Sequence, residues 1–155
     1  MKTLKDFIYE SLEKNNNVFI LKLDNHNKEE NKKLKEYKET LSKKYNAQII
    51  DFYFDKNVEL EDFTEPVNKN QSPLDALIDV ATNGKGTEKS KDYILVCGEC
   101  ELATPDMLKA LEDGFLNPMK NLNVFKCKSL KVILQGNDKM KLTDKLIKNS
   151  KSINI

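Results

Sequence analysis

Four short, nearly continuous apolar runs, at 18–23, 48–54, 93–97 and 130–135, punctuate a chain that is otherwise rich in charge. Runs of this length without polar alternation predict strands covered on both faces, as in a parallel sheet sandwiched by helices. Between the first two, Leu34, Tyr37, Leu41 and Tyr45 recur at helical spacing among lysines and glutamates, so the span 29–45 should be a helix lying on the sheet. Ser72, Pro73 and Asp75 form a helix-start signature, with Leu74, Leu77, Ile78 and Ala81 as the inward stripe and Asn83-Gly84 as the stop. Thr104-Pro105-Asp106 repeats the device, with Met107, Leu108, Leu111 and Phe115 facing inward and Asn117-Pro118 ending the helix. A last helix is predicted over 139–148 and a closing strand over 153–155. The acidic stretch 59–70 reads as a loop. Residues 1–14 read as a separate helical leader, with Leu4, Phe7, Ile8 and Leu12 along one side. The expected fold is α/β and three-layered: a mainly parallel sheet of four to five strands with helices on both faces, in one domain spanning 15–155.

Composition narrows this picture. A chain of 155 residues can bury about 70% of its unfolded surface. With 39% hydrophobic and 33% charged residues it lies outside the disordered range. No apolar run approaches the ~20 residues that span a bilayer, and MKTLKDFIYE lacks a secretion signal's apolar core, so no membrane partner and a cytoplasmic setting are expected. Cys97, Cys100 and Cys127 are an odd number, two of them in or beside strand-like runs, which argues for reduced thiols. All 26 basic residues are lysine, so no side chain can act as an arginine finger in phosphoryl transfer. Residues 119–155 hold nine lysines against Asp138 and Asp144. Lys126, Lys128, Lys131, Lys139, Lys141, Lys145 and Lys148 are therefore a candidate patch for nucleic acid or an acidic partner, the simpler alternative being solvated lysines around a strand and a helix.

The richest chemistry lies in 93–117. Ile94-Leu95-Val96-Cys97-Gly98-Glu99, followed by Leu102-Ala103-Thr104-Pro105-Asp106, resembles the Walker B strand and following helix of an AAA+ ATPase core, within the P-loop NTPase class. That resemblance places Glu99 where the family has the carboxylate that polarises water. It places Gly98 where the magnesium-linked aspartate should stand. Val132-Ile133-Leu134-Gln135-Gly136-Asn137 resembles the next family strand, with Asn137 at the position of the polar sensor. Where the family has a finger arginine, Asn149 and Ser150 stand. After the first strand, Leu23-Asp24-Asn25-His26-Asn27-Lys28-Glu29 replaces a glycine-rich phosphate loop and offers carboxylates where phosphates would lie. The likeness thus implies the fold together with a loss of ATP and magnesium as cofactors.

Two other motifs carry different chemistry. Cys97-Gly98-Glu99-Cys100 is a C-x-x-C at the end of a strand, the arrangement of thiol redox proteins, although the helix is predicted to start near Thr104 rather than at Cys100. Zinc held by the three cysteines and His26 has suitable ligand types but no second close pair. MKTLKDFIYE resembles the capsid-targeting leader of internal proteins in T-even-type phages, with Ile8-Tyr9-Glu10 as the prohead protease site and Ser11 as the new first residue.

Four functions follow as expectations. The first is a non-catalytic AAA+-like binding or assembly module working with a protein partner or further copies of itself. The second is an internal phage protein, packaged in the virion, that binds DNA or a host factor. The third is a divergent ATP-binding protein using Glu99 and Asn137. The fourth is a thiol redox protein using Cys97 and Cys100.

Overall fold

The computed structural model describes residues 12–65 and 70–155. The four apolar runs form β1 (Val18–Lys22), β2 (Gln48–Tyr53), β3 (Asp92–Gly98) and β4 (Ser129–Gly136), and Lys151–Ile153 adds β5. All neighbours pair in parallel, in the order β2-β3-β4-β1-β5. Pairing of Cys97 with Leu134 and of Leu21 with Gln135 brings the carboxyl ends of β3, β4 and β1 to one edge of the sheet. The α/β class and the helices on both faces are as expected from the sequence.

The connecting helices are α1 (Lys28–Tyr45), α2 (Glu61–Thr64), α3 (Pro73–Ala81), α4 (Pro105–Leu116), α5 (Pro118–Asn121) and α6 (Asp144–Asn149). One face of the sheet packs Phe19, Leu21, Ile94, Val96 and Ile133 against Leu34, Tyr37 and Leu41 of α1. The other packs Val18, Leu95, Cys97, Val132 and Leu134 against Phe63, Leu77, Leu108, Phe115 and Leu146 from the remaining helices. Alternating strand residues enter opposite cores, so the central strands β1, β3 and β4 are apolar over most of their length, whereas the edge strands β2 and β5 carry exposed polar residues.

Three expectations are corrected. The stretch 59–70 contains α2, because Phe63 inserts into the core and stacks edge-on with Phe52 and Phe54. The last helix begins at Asp144 rather than 139, since the Thr143 hydroxyl accepts from the Leu146 N–H and so sets its start. The closing strand lies at Lys151–Ile153, two residues earlier than the predicted span. Of the predicted leader, residues 12–14 are described, and they are not helical. Leu12 is buried in the α1-side core, its N–H donating to the Tyr45 hydroxyl at 2.8 Å.

One buried carboxylate organises the helical layer. Asp75, fully inaccessible, closes a capping box with Ser72 at the start of α3. It also accepts the successive N–H groups of Asn123, Val124 and Phe125 at 3.0, 3.1 and 3.1 Å. Burial on its own would raise its pKa, but the bonds from Ser72, Asn123 and Phe125 outweigh that and hold it below the ordinary value.

Candidate functional site

The candidate site is the carboxyl edge of the sheet, where loops from β1, β3 and β4 meet. The connection leaving β1 runs through α1 on one face, whereas that leaving β4 runs through α6 on the other. The gap between the two is a topological switch point, where open parallel sheets bind ligands. A cavity of about 320 Å³ occupies it, lined by Lys22, Leu23, Asp24, Glu30, Asn137, Asp138 and Lys139.

Behind the loops lies Gln135, a fully buried polar residue near the end of β4. The side-chain amide donates to the Leu23 carbonyl at 2.6 Å, while its oxygen accepts the Glu99 N–H at 3.1 Å. A single glutamine therefore ties the β1 and β3 loops together. Glu99 sits in left-handed backbone at φ 56°, uncommon for a residue with a side chain. Its carboxylate turns toward the β1–α1 loop and meets His26 Nε2 at 3.4 Å, with the imidazole 71% and the carboxylate 19% exposed.

At the start of α1, Asn27 Oδ1 accepts the N–H groups of Glu29 and Glu30 at 3.0 and 3.2 Å, with both glutamates in the first turn. The chain itself supplies the acceptor and negative charge that a phosphate would bring to a helix start. At Gly98, a Cβ would lie 2.5 Å from Cδ1 of Tyr53 and 3.1 Å from Oε1 of Gln135. The Tyr53 ring is held by its hydroxyl, which accepts from Lys38 Nζ at 3.2 Å. An aspartate at 98 would require that ring to move. At Gly136, Met140 Sδ and Glu101 Oε1 would stand 2.9 and 3.1 Å from a Cβ. Glu101 also accepts the Asn137 N–H at 3.2 Å.

The sequence-predicted residues separate accordingly. Glu99 and Asn137 follow adjacent strands, but Asn137 lines the cavity whereas Glu99 reaches across to His26. Asn137 uses its side-chain oxygen to accept the Lys139 N–H at 2.9 Å. Ile8 and Glu10 lie outside the described residues. Cys97 and Cys100 are both fully buried, and Cys100 Sγ donates to the Cys97 carbonyl at 3.2 Å. Burial pushes both thiols far above their ordinary value, and Cys127 up to about 11. Cys100 opens a 3₁₀ turn, with the helix beginning at Pro105, so no helix dipole lowers its pKa. No group of three or more His, Cys, Asp or Glu side chains among the described residues could hold a metal ion.

The lysine set is spread over several elements. Lys126 and Lys128 precede β4, and Lys139 and Lys141 follow it, with a strand of roughly 23 Å between at ~3.3 Å per residue. Lys131, half-buried, spends its ammonium on the carbonyls of Glu13, Lys14 and Asn16, and burial lowers its pKa. It fastens the segment before β1 to the sheet. No helix among the described residues is long and apolar enough to cross a membrane.

Gln135, Tyr53 and Glu30 shape this edge without having been given a role from the sequence, whereas Asp24 was already visible among the carboxylates after the first strand. A glutamine closing an apolar run was the one available signal for the first. Tyr53 and Gly98 are 45 positions apart, and only the pairing of β2 with β3 sets them side by side.

No family model matches this chain, and no curated protein does. Among solved structures, a chain in a structure of Drosophila ORC bound to DNA aligns with 89% of this chain and 25% of its own length, at TM-score 0.42 and 11% identity. This chain thus spans about a quarter of that one. At that level the likeness assigns neither a site nor a function.

Proposed function

We propose that this chain is a non-catalytic binding or assembly module built on an α/β core whose nucleotide position is filled by its own groups. The observation that carries this reading is the triple closure at the sheet edge. Asn27 with Glu29 and Glu30 occupies the helix start, Tyr53 covers Gly98, and Met140 with Glu101 covers Gly136. Each closure removes something phosphoryl transfer needs: backbone donors for phosphate, a metal-binding carboxylate, or room for a side chain on Gly136. Glu99 alone cannot supply turnover. The test is ATP hydrolysis by purified protein with magnesium. The expected outcome is no rate above the buffer blank, whereas a magnesium-dependent rate lost in Glu99→Gln would overturn the proposal.

A second reading, a packaged internal phage protein, draws on Ile8-Tyr9-Glu10 and on one structural fact. Leu12, just beyond the proposed cleavage point, is buried and hydrogen-bonded to Tyr45. Cleavage after Glu10 would therefore leave this anchor in the mature protein. Intact-mass measurement on purified particles should find a chain starting at Ser11; particles lacking the protein would remove the reading.

A further inference from the structure

The opposite, amino edge of the sheet holds another cavity, of about 280 Å³, between the starts of β3 and β4 and the end of α1. Leu12, Tyr45, Ala47, Tyr93 and Ile94 give it apolar walls. It has room for an aromatic ring, since a dry cavity of ~150 Å³ already takes benzene. Polar groups of the lining already have partners. The Ser129 hydroxyl donates to Asp92 Oδ1 at 2.5 Å, and the Tyr45 hydroxyl accepts the Leu12 N–H at 2.8 Å. The Lys131 ammonium donates to the carbonyls of Glu13, Lys14 and Asn16, while Lys14 itself is exposed. Walls of this kind suit an apolar occupant, because a polar one would bury groups left without partners.

The same contacts fix where the chain enters the fold. Tyr45 holds Leu12, and Lys131 holds the carbonyls that follow it, so residues 1–11, which lie outside the described residues, must leave from the wall of this cavity. Within that segment Leu4, Phe7 and Ile8 stand at helical spacing from Leu12. The last member of this stripe is already buried in the α1-side core. The separation from Phe7 to Leu12 spans at most ~17 Å when extended and ~7.5 Å as a helix, so the ring is within reach of the cavity in either form.

We propose that residues 1–11 are an intramolecular ligand of this cavity, with the Phe7 ring inside it and Leu4 and Ile8 against its mouth. Withdrawing or cutting the segment then opens a docking site for an apolar side chain of another protein. The cavity lies at the edge of the sheet away from the nucleotide position, and the inference does not rest on the reading of that position.

The test is NMR of the full chain at low and high protein concentration, joined to proteolysis and thermal unfolding. Nuclear Overhauser contacts should run from the Phe7 ring to the methyl groups of Ala47 and Ile94 and persist on dilution. A glutamyl endopeptidase should cut after Glu10 at least about tenfold faster in Phe7→Asp than in the wild type, because the docked segment is protected. Phe7→Ala should lower the unfolding midpoint by about 3–6 °C, and Asp6→Ala, off the stripe, by less than about 1 °C. All these substitutions precede Leu12 and leave the described core intact. Absence of the Phe7 contacts, equal cutting of wild type and Phe7→Asp, or equal midpoints for Phe7→Ala and Asp6→Ala overturns the inference. Contacts that vanish on dilution assign the ring to a second copy of the chain and overturn the intramolecular claim.

Discussion

Asp75 and Glu99 are both carboxylates beside a turn, and the protein treats them in opposite ways. Asp75 is sealed from solvent and takes the backbone N–H groups of Ser72, Asn123, Val124 and Phe125 together with the Ser72 hydroxyl. Glu99 stands on left-handed backbone with a long contact to an exposed histidine. The first is a carboxylate used as a structural hub: its charge is matched by fixed dipoles, and removing it would strand several buried donors. The second is fixed through its backbone by Gln135, while its side chain stays largely uncommitted. Strain kept in place by neighbours, with a partly free charge at a switch point, is where proteins concentrate binding. The first carboxylate keeps the helical layer together, and the second joins two loops at the sheet edge through one long contact.

The largest expected effect falls on the hub. Asp75→Asn keeps the shape but loses the charge and part of the acceptor capacity, and should cost about 2–4 kcal/mol in urea denaturation. Next comes Gly98→Asp, in which the new side chain must displace Tyr53 or Gln135, at about 1–3 kcal/mol. Combining it with Tyr53→Ala should recover part of that loss, a coupling that a double-mutant cycle would read directly. Gln135→Leu strands the Leu23 carbonyl and the Glu99 N–H, and should cost about 1–2 kcal/mol while speeding exchange of the Glu99 amide. Glu99→Gln should change stability by less than about 0.5 kcal/mol, because its partner is exposed and the contact is long. If Glu99→Gln proved as damaging as Asp75→Asn, the distinction between the two carboxylates would fail.

Acid sharpens the same comparison. The folded-state pKa of Asp75 is depressed, so its contribution is present above the unfolded value near 3.8 and lost as pH falls through the folded value. Wild-type stability should therefore decline below about pH 4 more steeply than that of Asp75→Asn, measured by urea midpoints from pH 6 downward.

Much of this fold can be read directly from the chain, because each central strand is buried on both sides and is apolar over most of its length. The starts of α3 and α4 are equally legible, since Ser72 and Thr104 cap them locally and Pro73 and Pro105 fix the first turn. Elements held by a single distant contact are not. α2 depends on Phe63 reaching Phe52 and Phe54, and β5 depends on pairing with β1 across the whole chain. The site follows the same division. The carboxylates after β1 and the missing phosphate loop are visible as residue types, but the reason Gly98 stays glycine lies in Tyr53, and the role of Asp75 lies in a loop about 50 positions away. Among the seven lysines, only the fold reveals that Lys131 and Lys126 spend their ammonium groups on backbone carbonyls.

The central claim is that this α/β core fills its own nucleotide position. Titration of the full chain with ATP and ADP plus magnesium, followed by thermal unfolding, tests it most directly. The account predicts no change in midpoint at millimolar nucleotide. A clear rise that disappears in Asn137→Ala or Glu99→Gln would contradict it, since the phosphate site would then have survived in altered form.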